Sequence, residues 1–231
     1  MTREWALIVG VGDGLSASLA RLLHREGMAL ALAARNTDKL KELAEETGAK
    51  LYACDAASRE DTARLFAALD ADGLTPDLAI YNPSFRVRGP FVELDQEAVE
   101  KTLMVCAYGG FLMAQHAAQR MLKAGHGTIL FTGASAGVKG YAKSAPFAMG
   151  KFALRGLAQS MARELHPQNI HIGHFVIDGG IANPRDPRTA GAAQDAMLHP
   201  DAIAETYLQF HRQERSSWAW EIELRPWVET F

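Results

Sequence analysis

Cysteine is scarce in this sequence: Cys54 and Cys106 are the two thiols among 231 residues, far apart and without a CxxC pair. That spacing argues against a disulfide framework and a thiolate zinc site, and fits a reducing compartment in which both are buried thiols. No metal is expected. Apolar runs approaching the ~18 residues of a membrane span are also missing. The opening "MTREWALIVGVG" has charge but no apolar core followed by a small-residue cleavage site. The expectation is a cytoplasmic protein with no membrane partner. Positive charge is not in excess either, with 24 Lys and Arg against 27 Asp and Glu and no basic block, so no nucleic-acid partner is expected. Repeats, low-complexity segments and linkers are absent, and 48% hydrophobic residues suffice for one core, so residues 1–231 read as a single domain.

What is present is an alternation. Apolar runs of β type ("WALIVG", "MALALAA", "KLYAC", "PDLAIY", "GTILFTG", "IHIGHFVI", "WAWEIEL") are separated by helical periods near 14–26, 37–47, 58–70, a long stretch up to Lys123, 144–165 and 200–212. Strands apolar on both faces and joined by amphipathic crossovers specify an α/β fold. The expected form is a doubly wound, mostly parallel seven-stranded sheet (a Rossmann fold) with helices on both faces. Ser58 followed by Asp61 resembles a capping box, and Pro146 suits the first turn of its helix. The irregular stretch of about 178 to 198, with Arg185, Asp186 and Arg188, has the length of a lid or binding loop. The C-terminal "SSWAWEIELRPWVETF" reads as an edge strand with a docking tail.

Gly10, Gly12 and Gly14 stand between the first strand and the first helix, where the backbone must turn sharply and approach a pyrophosphate at a helix N-terminus. Their spacing is not the G-x-G-x-x-G of the common dinucleotide fingerprint. "VGVGDGLS" instead resembles the T-G-x-x-x-G-I/L-G motif of the short-chain dehydrogenase/reductase family at Gly10, Gly14 and Leu15, with Val9 for the Thr and Ser16 for the last Gly. The resemblance covers essentially the whole chain. It places Asn82 of "YNPS" on the family's N-N-A-G, and Asp55 with Ala56 on its adenine contact. Arg35 stands where an NAD-preferring member would carry a carboxylate. A guanidinium there can pair with a 2′-phosphate, so the cofactor expected is NADP, with NAD less favoured. "DGGIAN" falls on the family's P-G-x-I/V-x-T with Gly179 and Ile181 in register, Asp178 in place of the Pro and Asn183 in place of the Thr. These positions imply cofactor contacts.

The catalytic set is where the chain departs. Lys151 falls on the Lys of Y-x-x-x-K, which in the family binds the nicotinamide ribose and acidifies the Tyr. The Tyr position is Phe147, the Ser thirteen residues before it is Ala134, and the helical Asn is Cys106. A phenyl ring cannot exchange a proton with an alkoxide. Tyr141 stands ten residues before Lys151 with Pro146 between, so it cannot share Lys151's helical face. Ser84, Ser135, Tyr141 and Ser144 are candidate donors, each with the competing reading of a hydroxyl that caps local backbone. Asp178 could bind a polar substrate group, act as an acid if its pKa is raised, or cap its turn, and His171 and His174 read as satisfied, partly buried strand residues. Two functions follow. One is an NADP-dependent oxidoreductase with an atypical site, moving hydride to or from a small-molecule carbonyl, imine or activated alkene. The alternative is a catalytically silent NADP-binding protein acting as a regulator or an assembly subunit. The family packs subunits through the helix at 144–165, whose Ala148, Gly150, Ala153 and Gly156 suit close approach, so a homodimer or homotetramer is implied.

Overall fold

A computed structural model describes residues 3–183, 186–193 and 195–229. Arg185 lies outside them. The strands are β1 (Trp5–Val9), β2 (Ala29–Ala34), β3 (Lys50–Ala53), β4 (Leu78–Tyr81), β5 (Gly127–Thr132), β6 (Ile170–Ile177) and β7 (Glu221–Leu224). They form one sheet in the order β3-β2-β1-β4-β5-β6-β7, and every pairing is parallel, the edge strand β7 included. The order reverses between β1 and β4, so a crevice opens at their carboxyl ends.

Period-2 alternation divides the strand side chains between two cores. Ala6, Ile8, Leu78 and Ile80 pack with α1 (Leu15–Arg25), α2 (Lys41–Thr47) and α8 (Pro200–His211). Leu7, Val9, Ala79 and Tyr81 pack with α3 (Arg59–Ala71), α5 (Gly109–Ala124) and α6 (Ala145–Leu165). α4 (Gln96–Leu103) reaches α5 through one wide π turn, Met104–Tyr108. The loop after β6 holds a short helix α7 (Pro187–Ala190) and is tied back by a bridge between Ile181 and Leu198. Among the described residues no helix is long and apolar enough to cross a membrane.

Several local expectations change in the fold. Ser58 caps α3, its Oγ accepting from the Asp61 amide at 3.1 Å. The return bond of a capping box is not made, because the Asp61 carboxylate accepts instead from the Asp55 amide at 2.9 Å. Half the box is thus spent on fixing the turn after β3. Ser144 stands at the start of α6 but does not cap it: its hydroxyl is buried and has no hydrogen-bond partner among the described residues. Gly150 is needed inside the subunit, since a Cβ there would lie 2.8 Å from Cys106 Cβ. Ala153 and Gly156 are exposed.

His171 and His174 are fully rather than partly buried, and each has one ring nitrogen without a partner among the described residues. His171 stacks between Phe210 and Trp218 at centroid distances of 4.6 and 4.3 Å, and its Nε2 donates to the Ala219 carbonyl. His174 Nδ1 pairs with Glu221 at 2.9 Å, beside the Arg155–Glu221 pair. Burial pushes both imidazoles down to about 4. An unfolded histidine takes its proton near pH 6.5, so between these values unfolding takes up protons. The stability contributed by keeping both rings neutral is therefore complete above pH 6.5 and declines as the pH falls toward 4. Urea midpoints measured from pH 7.5 to 4.5 are expected to drop below 6.5. His171→Phe should flatten that drop, and an equal slope in the variant would refute the assignment.

Candidate cofactor and active site

The glycine loop is held from behind. Gly10 has φ +82°, and a Cβ there would lie 2.6 Å from the Pro83 nitrogen, so the loop rests directly on the segment after β4. Ser16 ties the two together: its Oγ donates to the Gly10 carbonyl at 3.2 Å and accepts from Asn82 Nδ2 at 2.5 Å. The serine that replaces the family's last glycine is therefore a clamp on the loop. Gly12 is exposed with nothing within 4 Å of an added Cβ, and Gly14 heads α1. Among the described residues the first turn of α1 carries no acidic residue and no side-chain cap, which leaves the positive end of its dipole open to an anion.

Two cavities meet at Asn82 and Ser84 on either side of this loop. One, of about 350 Å³, is lined by Gly10, Arg35, Asp55, Ala56 and Lys101. Asp55 is fixed there by accepting from the Ala57 amide at 3.0 Å. Arg35 is exposed and makes no ion pair among the described residues, since the neighbouring Asp38 is taken by Lys41 at 2.8 Å. The other cavity, of about 570 Å³, is lined by Gly14, Leu15, Lys151, Gly179 and Ile181. Gly12 lines neither. Gly179 also lets the C-terminal segment approach, with Pro226 Cδ 2.8 Å from where its Cβ would be.

At the inner end of the larger cavity, Lys151 is 2% exposed. Its Nζ donates to the Thr132 carbonyl at 2.8 Å, and no carboxylate pairs with it among the described residues. Burial pushes its ammonium below the usual lysine range. Phe147 lies beside it, with Nζ 5.7 Å from the ring centroid. Phe147, Cys106 and Ala136 form one buried apolar cluster, and Ala134 packs against it. Phe147, Cys106 and Ala134 thus share one patch. Cys106 keeps a polar duty, its Sγ donating to the Phe85 carbonyl at 3.3 Å and accepting from the Phe85 amide at 3.5 Å.

A model of the family described as short chain dehydrogenase matches residues 4–183 of the chain. The chain belongs to the short-chain dehydrogenase family. A short-chain dehydrogenase from Rhodopseudomonas palustris superposes with a TM-score of 0.84 at 31% identity, covering 98% of this chain and 100% of that one. The cyclic-di-GMP-binding biofilm dispersal mediator protein of Escherichia coli is 30% identical over 203 residues, spanning 86% of this chain and 81% of that protein. The trans-4-hydroxycyclohexanecarboxylate dehydrogenase of Sinomonas cyclohexanicum is 29% identical over 198 residues, or 80% and 74% of the two chains.

In this short-chain dehydrogenase the candidate replacement donors separate. Ser84, Ser135 and Tyr141 line the larger cavity, while Ser144 does not. Asp178, buried at the end of β6, pairs with Lys139 and Arg225, each at 3.5 Å, so its carboxylate is held by charge rather than by a turn. Asn183 is brought next to Gly14, its Nδ2 3.7 Å from where a Cβ would stand. Arg188 lines the cavity but is bound to Asp186. Arg86 and Arg88, which no sequence motif singles out, line the same cavity. Their signal was the alternation Phe85-Arg86-Val87-Arg88, which sends two guanidiniums to one side of an extended segment.

Proposed function

We propose that this chain is an NADP-dependent oxidoreductase that moves hydride to or from a small-molecule carbonyl, imine or activated alkene without a phenol as proton donor. The observation that carries the reading is the pair of cavities joined across an uncapped helix N-terminus, with Arg35 at one end and buried Lys151 at the other. The residues fit the cofactor: among the described residues Gly12 leaves open space, the start of α1 has no side-chain cap, and Arg35 has no paired carboxylate. Gly10, Gly12, Gly14, Leu15 and Asn82 would hold the pyrophosphate turn. Asp55 and Ala56 would hold the adenine end, Arg35 the 2′-phosphate, and Lys151, Gly179 and Ile181 the nicotinamide end. A bound nicotinamide supplies or takes the hydride. Lys151, held by Thr132, sets a positive charge beside the developing oxyanion. The proton comes from water reaching the open side of the cavity past Ser135 and Tyr141.

NADPH is expected to raise the melting temperature, and to bind at least ~10-fold more tightly than NADH, because a charge-assisted pair to phosphate is worth ~1.5–3 kcal/mol. Arg35→Asp should reverse the preference. Equal binding of the two coenzymes by the unaltered chain would contradict it. The apolar cluster of Phe147, Cys106 and Ala136 favours a second reading, a nucleotide-binding protein without turnover. A carbonyl and imine panel with NADPH separates the two: oxidation of the coenzyme supports the first, and binding without oxidation the second.

A second copy of the chain is the proposed partner on the outer face of α5 and α6, where Met149, Phe152 and Phe111 are 50, 45 and 39% exposed. Phe152→Glu is expected to shift the sedimentation coefficient toward that of the monomer. An unchanged value would place the contact elsewhere.

A further inference from the structure

The larger cavity has a strongly positive mouth that the family's chemistry does not require. Arg86 and Arg88 line it from the segment after β4, and no carboxylate pairs with either among the described residues. Arg188 lines it from the opposite loop. The acidic group in the lining, Asp178, is already taken by Lys139 and Arg225. Partial burial, and then repulsion from Arg88 and Arg188, push the Arg86 guanidinium below its ordinary range, which fits cations gathered with no anion between them.

The positions that lost the catalytic groups hold this arrangement in place. The Arg86 guanidinium sits over the Phe147 ring, 5.0 Å from its centroid, while Lys151 Nζ approaches the same ring at 5.7 Å. A ring face is negative, so the Phe147 ring attracts the Arg86 cation that lies over it. Cys106 clips both backbone groups of Phe85, the residue before Arg86. The segment is anchored again at Gly89, whose amide donates to the Lys143 carbonyl at 3.1 Å. Loop arginines are commonly mobile, but these two stand on a backbone tied at Asn82, Phe85 and Gly89.

We infer that the substrate carries an oxyanionic group, a carboxylate or a phosphate, that Arg86 and Arg88 bind in the mouth of the cavity, with Phe147 as the platform for Arg86. The fork of a guanidinium matches either group bidentately, and the two arginines are free to take it. This deepens the reading above and uses the same cavity, but it concerns anion binding, which can be measured without turnover.

The experiment is calorimetric titration of malonate, and separately of inorganic phosphate, into the free protein at low ionic strength. The unaltered chain is compared with Arg86→Gln/Arg88→Gln and with Arg163→Gln. Malonate or phosphate should bind the unaltered chain, and the double variant should weaken that binding at least ~10-fold, since charged hydrogen bonds are lost. Arg163→Gln, at an exposed cation that lines neither cavity, should leave it unchanged. Tighter malonate binding assigns a carboxylate, and tighter phosphate binding a phosphate. Failure of both ions to bind, or equal binding by the double variant, overturns the inference. Both arginines are exposed and the double variant should keep its melting temperature, so loss of fold does not confuse the result. The oxidoreductase reading fails on a different result, the absence of NADPH binding.

Discussion

Ala134→Ser together with Phe147→Tyr is expected to raise NADPH-dependent carbonyl reduction at least ~10²-fold, as restoring general acid help and an oxygen-binding donor is worth ~10²–10⁴ and ~10²–10³. The structure places the new hydroxyls well. Phe147 lines the cavity next to Lys151, and Ala134 packs on the same cluster. A phenol at 147 would stand between two cations, Lys151 and Arg86, both of which favour its ionised form. Each single substitution should recover much less, because groups that act as a unit are not additive. Steady-state kcat/KM on a panel of aldehydes and ketones, with melting curves to confirm the fold, checks this. A folded double variant with an unchanged rate would mean that the hydroxyls do not reach the reacting atoms.

Gly10→Ala and Gly12→Ala are expected to divide loop architecture from coenzyme contact. At Gly10 an added Cβ meets the Pro83 nitrogen at 2.6 Å in a left-handed backbone. That costs ~1–2 kcal/mol for the conformation and ~1–3 kcal/mol for the overlap. The loop must shift and the Ser16 clamp must loosen. The free protein should melt lower and NADPH affinity should fall on the order of 10²-fold, the factor that ~3 kcal/mol of strain implies. At Gly12 nothing lies within 4 Å. Gly12→Ala should therefore melt like the unaltered chain when free, yet lose most of the stabilisation by NADPH. Equal effects of the two variants on the free protein would contradict the division.

Much of the fold was legible because its signals are local. Apolar strands such as "MALALAA" can be buried on both faces only in a covered parallel sheet, and the loops between them carry glycine and capping residues that mark their ends. The glycine loop was legible for the same reason. Ser58 was legible as a cap, but the destination of the Asp61 carboxylate was not, since it depends on where the turn after β3 arrives. Ser144 shows the opposite failure: its position promised a cap, and packing closed around its hydroxyl instead. His171 and His174 looked half-wet because alternation says which face a residue takes and nothing of what covers that face. Trp218 and Phe210 cover His171 from distant parts of the chain.

Sequence by itself determined the order of strands and helices along the chain, the glycine turn, the arginine after β2, and the phenylalanine one turn before Lys151, because each is a matter of residue type at a given spacing. Tertiary structure alone decided that Phe147, Cys106 and Ala134 are neighbours, that Ser16 clamps Asn82 to Gly10, and that Arg86 lies on the Phe147 ring. Those contacts join the glycine loop and α1, the segments after β4 and β5, the π turn before α5 and helix α6, most of which are separated by tens of residues. Only closure of the sheet brings such segments within a few ångströms, where the short range of hydrogen bonds, ring faces and charges begins to matter.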